Sequence, residues 1–190
     1  MEALSSLVRE HQFLARLVAA FDRYASQVER GIDVDPSDLR GFARTLREFA
    51  DETHREKEEH VLLPFLVHHG FDWEAPPISQ VCDEHSMERD LIAAIDHAGA
   101  RLARWTDEER RHVVGLVRSL CEFQRRHHNT ENEQLFPAVM MRLDLGALEQ
   151  LREALERYDE RPTHRKRGAA ARAIGDDLIA RYTERDTVQG

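Results

Sequence analysis

Two strings in the chain share one spacing. HREKEEHVLLP runs over residues 54–64 and HHNTENEQLFP over 127–137, and both read HxxxExxxLxP. His54 and Glu58 stand four residues apart, as do His127 and Glu131. On a helix that spacing puts each pair on one face, one turn apart. The halves repeat at a nearly fixed offset: His54, Glu58 and Pro64 recur 73 residues later, and Glu10-His11 recurs 74 residues later as Glu84-His85. His11, His54, Glu58, His85, His127 and Glu131 all interrupt apolar stripes, so they are expected to point inward. A buried bare carboxylate is very costly without a compensating charge, and metal ions supply one. Four imidazoles and two carboxylates divide into two half-sites. Each metal takes two histidines, both glutamates bridge, and positions remain for a solvent-derived bridge and a small exogenous ligand. Such mixed ligation suits iron, with manganese and zinc also open. The lack of thiolates speaks against structural zinc.

Four long helical stretches must position these groups. The first is expected over about Ala3 to Arg30, with Leu4, Leu7, Val8, His11, Leu14, Val18 and Phe21 on one stripe and Gly31 as a stop. The second is expected over about Pro36 to His69, where Pro64 should kink or end the helix. The third is expected over about Ser79 to Trp105, with Val81, His85, Glu88, Ile92, Ile95 and Leu102 on its stripe. The fourth is expected over about Asp107 to Arg142, opened by a capping box of Thr106 and Glu109. Each half then forms one helical hairpin, and the pair gives an all-α, up-down four-helix bundle over 1–145. A C-terminal helical appendage occupies 146–190: an amphipathic segment over Ala147–Tyr158, a basic joint over Arg161–Gly168, and a weak helix over about Ala169 to Arg185. A ferritin-like bundle would need Glu-x-x-His twice. Asp51-x-x-His54 is a near miss, and Gln124 holds the matching place before His127.

The charge balance, 27 basic against 36 acidic side chains, disfavours a nucleic-acid or membrane-surface partner. No apolar run reaches the ~20 residues of a membrane span. The N-terminus lacks the basic start and apolar core of a secretory signal. Cys82 and Cys121 have no motif spacing and are expected as reduced thiols in a cytoplasmic protein.

Several neighbours leave alternatives open. A register shift of one would exchange His127 for His128. Glu88, one turn from His85, is read as a salt-bridge partner of an arginine, or as an extra ligand or hydrogen-bond partner. Tyr24 and Gln124 could reach the core. Glu59, paired in the repeat with Asn132, is expected to be solvated, and His60, His68, His69, His97 and His112 to be exposed.

On His11, the two HxxxExxxLxP strings and Glu84-His85, the chain resembles the hemerythrin-like (HHE cation-binding) domain family over about Leu4 to Arg142. The ligand types resemble its bacterial di-iron branch. The oxygen carriers place HxxxH on the third helix, whereas Ser86, Met87, Glu88 and Arg89 follow His85 here. The resemblance implies two iron ions with an oxo or hydroxo bridge. It also implies a small-molecule ligand (O2, NO or peroxide) that is bound, or bound and turned over, in stress response or sensing. Its alternatives are iron storage or donation for repair of iron–sulfur clusters and a ligand-binding sensor module without turnover.

Overall fold

The computed structural model describes residues 2–100 and 105–184; the expected helix contribution of Leu102 and the end at Arg185 lie outside the described residues. Among the described residues there are no strands, and no helix is long and apolar enough to cross a membrane. The described residues form six helical rods: α1 (Ser5–Glu29), α2 (37–68), α3 (Ile78–Gly99), α4 (107–142), α5 (Leu145–Asp159) and α6 (Pro162–Glu184). Gly31, at φ 69°, turns the chain after α1, a left-handed conformation that glycine adopts without a Cβ clash. At the start of α4 both arms of the capping box form, Glu109 N–H to Thr106 Oγ1 (3.2 Å) and Thr106 N–H to Glu109 Oε2 (2.9 Å).

α2 does not stop at Pro64. It continues to His68, and so does α4 past Pro137 to Arg142. Both rods widen to π-helix just upstream of the proline, over Glu58–Leu62 and Glu131–Leu135. The Leu63 N–H reaches back five residues to the Glu58 carbonyl, and the Phe136 N–H to that of Glu131. A proline lacks the N–H for a regular turn and crowds the carbonyl four residues back. A wider turn relieves both conflicts while the rod continues.

α1 packs on α4, α4 on α3, and α3 on α2. α6 lies against both α1 and α2, including a first π stretch of α2 over Leu46–Arg55, and α5 packs on the Glu58–Leu62 π turn and on residues 2–4. Two apolar clusters result. One gathers Leu17, Phe21, Phe42 and Val117 with Leu178 and Tyr182 of α6; the other gathers Leu7, Leu66, Val81 and Val139 with Leu151 and Leu155 of α5. Between them the aliphatic stripes break: His11 follows Leu7 and precedes Leu14, and His85 follows Val81 and precedes Ile92. The bundle core is thus split by one layer of buried polar side chains.

The joint expected over Arg161–Gly168 is instead the first two turns of α6, which starts at Pro162. Proline suits the first turn of a helix, where its missing N–H costs nothing. Glycines let α6 approach closely. A Cβ on Gly168 would sit 3.2 Å from Thr53 Cγ2, and one on Gly175 would sit 2.6 Å from Phe13 Cζ.

Candidate metal centre

All six expected ligands lie in the polar layer, with at most 4% of any side chain exposed. His11 comes from α1, His54 and Glu58 from α2, His85 from α3, and His127 and Glu131 from α4. Their Nε2 atoms converge. His11 Nε2 lies 3.1 Å from His54 Nε2 and 3.1 Å from Glu131 Oε2. Glu58 presents Oε1 to His54 Nε2 and Oε2 to His85 Nε2, each at 3.5 Å. Glu131 Oε2 also lies 3.5 Å from His127 Nε2. Each glutamate therefore reaches histidines from both halves of the repeat. The donor atoms fall into two groups, His11, His54, His128 and Glu131, and Glu58, His85, His127 and Glu131, each within 4.8 Å of one another.

The far nitrogen of every ring is held as well. His54 Nδ1 lies 2.7 Å from Glu10 Oε2, His127 Nδ1 2.8 Å from Glu84 Oε2, His85 Nδ1 2.8 Å from Glu59 Oε1, and His11 Nδ1 3.1 Å from Asn132 Oδ1. Each acceptor sits next in sequence to a candidate ligand and serves a ring on the neighbouring rod. The four contacts close a cycle: α1 to α2, α2 to α3, α3 to α4, α4 to α1. Such Nδ1–H contacts fix the tautomer that leaves Nε2 free for a metal, and a carboxylate acceptor makes the ring more basic. Glu59 is therefore a half-buried support for His85, not a solvated residue. The signal was its repeat partner Asn132, which shares an acceptor oxygen but no charge.

The electrostatics call for cations. Burial disfavours the charged form of His85, but the Glu58 and Glu59 carboxylates outweigh it and push the ring up to about 9. Burial also opposes charging His11, and Glu131 raises it nonetheless. Burial favours neutral Glu10 and Glu59, yet hydrogen bonds from His54 and Lys57, and from His85 and Arg89, bring each down to about 2. Glu131 is lowered against its burial chiefly by His127 and His11. Both Glu58 oxygens, Glu131 Oε1, and Nε2 of His85, His127 and His128 are buried without a hydrogen-bond partner. Orphaned buried polar atoms are rare in native proteins. The five that belong to expected ligands, leaving His128 aside, form a set of oxygen and imidazole donors that fits first-row metal ions.

His127 and His128 are both buried in the layer, one in each donor group. The His128 ring stacks on His11 at 4.4 Å between centroids, and burial lowers its proton affinity well below the ordinary value. Its repeat counterpart is Arg55, also fully buried, which pairs with Glu88. Gln124 donates to the other Glu88 oxygen. Glu88 is thus bound to an arginine. Tyr24 lies with Phe42 and Tyr182, away from the polar layer. His60, His68, His69, His97 and His112 are exposed. Behind the site, Lys57 is buried between Glu10 Oε1 (2.5 Å) and Asp159 Oδ1 (2.8 Å), which ties the end of α5 to the acceptor that holds His54.

Two buried clusters of imidazole and carboxylate in an all-helical chain are of the kind that could hold metal ions. Residues 2–95 match the family model described as Hemerythrin HHE cation binding domain. That span carries His11, His54, Glu58 and His85, and the internal repeat extends the pattern to His127 and Glu131. No curated protein and no solved structure matches the chain.

Proposed function

We propose that the chain is a hemerythrin-like di-iron protein of the bacterial kind, cytoplasmic, which binds and turns over a small oxidant or gas such as O2, NO or peroxide. His11 and His54 would hold one iron, His85 and His127 the other, and Glu58 and Glu131 would bridge them. The observation that carries this reading is the way each bridging carboxylate reaches across the repeat, leaving buried oxygens and Nε2 atoms without partners. A bound iron pair supplies redox change and a coordination position for the exogenous ligand. The chain's own residues orient the rings through Nδ1 and bury the layer between two apolar clusters. In this reading 1–145 forms the up-down bundle and 146–190 the appendage packed on it.

Metal analysis tests the proposal. Two irons per chain are expected, falling in both His54→Ala and His127→Ala, together with O2 release from peroxide that the variants lack. A folded wild type that takes up no iron overturns it. A second reading, a sensor that binds its ligand without turnover, is favoured by the Glu10–Lys57–Asp159 contacts from His54 to the appendage. Stoichiometric ligand binding with no peroxide turnover would select it.

A further inference from the structure

The two halves differ in how they meet solvent. In the second half, Arg89 of α3 reaches α2, with Nε 2.7 Å from Asp51 Oδ1 and Nη2 2.7 Å from Glu59 Oε1. The repeat places Ala15 at the equivalent point of α1, a side chain too short to make a matching contact to α4. There a cavity of about 970 Å³ opens between α1 and α4, lined by apolar Leu4, Val8, Val18, Phe136 and Met140. Buried His11 and His128 also line it, and His128 Nε2 has no hydrogen-bond partner. A diatomic or peroxide needs a space on the order of one water, about 30 Å³. The cavity lies instead in the size range of organic-ligand pockets, with the same balance of apolar walls and few polar groups. Arg125, the cation on its rim, is engaged with Asp22 at 2.7 Å, so no unpaired charge awaits an anionic head group.

We propose that the α1–α4 cavity binds a neutral amphiphile, an alkyl chain ending in a hydroxyl or hydroperoxide group, with the chain along Leu4, Val8 and Met140 and the head at His128 beside the His11 half-site. The proposal deepens the metal-centre reading and needs it only for what the head group meets.

Calorimetric titration of the iron-loaded protein with straight-chain alcohols tests it, using octan-1-ol as the principal probe. One saturable site per chain is expected, with affinity rising about fourfold per methylene from butan-1-ol to octan-1-ol. Ala15→Trp, at an exposed position, and Met140→Trp, at the other end of the cavity, should each weaken octan-1-ol binding at least tenfold. Metal content and thermal melts should stay at wild-type values. Non-saturable uptake, no dependence on chain length, or unchanged binding in both folded variants overturns the proposal. Titrating metal-free protein separates the two readings. Octanol binding by a chain that never takes up iron would sustain the cavity and sink the iron centre, whereas an iron-loaded chain that ignores octanol would do the reverse.

Discussion

Glu10→Gln isolates what the outer carboxylates contribute. The single carbonyl oxygen of glutamine can still accept from His54 Nδ1, so ring position is kept while the charge and the acceptor facing Lys57 are removed. Loss of a carboxylate behind a metal-bound imidazole costs roughly 10–100-fold in metal affinity, or about 1.4–2.8 kcal/mol. Glu84→Gln removes the equivalent charge behind His127 and should cost the same. The two variants should part in stability without metal. Glu10 also accepts from the buried Lys57, whereas the second oxygen of Glu84 accepts from the neutral amide of Gln80 (2.9 Å). Hydrogen bonds to charged groups contribute about 1.5–3 kcal/mol, against about 0.5–1.5 for neutral ones. Glu10→Gln should therefore lower the metal-free melting temperature by roughly 4–10 °C, and Glu84→Gln by roughly half that or less. Competition with a chelator of known affinity gives the first quantity, and calorimetry with excess chelator gives the second. Metal affinities within threefold of wild type in both variants would refute the role of the outer ring. Equal melting shifts would refute the role assigned to Lys57.

Three further outcomes are expected. In metal-free protein His85 is held up to about 9, above its unfolded value near 6.5, so the stability it lends is complete below about pH 6.5 and fades as pH rises through 9. A metal replaces that proton, so the stabilisation by added iron or zinc should grow between pH 6.5 and 9 in denaturant melts, and a flat increment would contradict it. Gly115→Ala, with open space around the new methyl, should gain about 1 kcal/mol of stability from helix propensity. Gly175→Ala gains the same term but drives a methyl into Phe13, which costs about 1–3 kcal/mol and should leave a net loss on urea titration. Glu88→Ala strands the fully buried Arg55 and should cost about 3–5 kcal/mol by the same measurement.

The candidate ligands were legible because their geometry is local. A spacing of four on one helix fixes the pairs His54–Glu58 and His127–Glu131 before any tertiary contact forms. Duplication then separates them from chance surface pairs. What supports those ligands is not local. Glu59 holds a ring on α3 and Asn132 one on α1, and nothing in their own helices says so. Their shared property is an acceptor oxygen at a repeat position, and a comparison by charge passes over it. The π turns escaped for a similar reason. Pro64 and Pro137 signal a local conflict, but not that the rod carries on past it, with Leu63 and Leu66 buried in the apolar cluster. The close seat of α6 had a sequence trace in Gly168 and Gly175, two turns apart on one face. A basic, weakly amphipathic segment does not reveal which groove it fills.

The places where the repeat fails carry the most information about function. Three of the mismatches matter most: Arg55 against His128, Glu88 against Leu14, and Arg89 against Ala15. The first two together bury an ion pair beside the His85 half-site and leave a bare imidazole beside the His11 half-site. An arginine at position 128 would need an acid at 14, so these two differences depend on each other. The third closes one flank with Arg89 and opens the other at Ala15. A duplicated hairpin alone would yield two equivalent metals with equal access. Here one half-site is polar, braced and covered, and the other is apolar and open. Reversing one element should show the dependence. Leu14→Glu with His128→Arg should be better tolerated than His128→Arg alone, because the single change buries an unpaired guanidinium at a cost of several kcal/mol. A double variant no more stable than the single one, in urea melts of metal-free protein, would break the inferred link between the two positions.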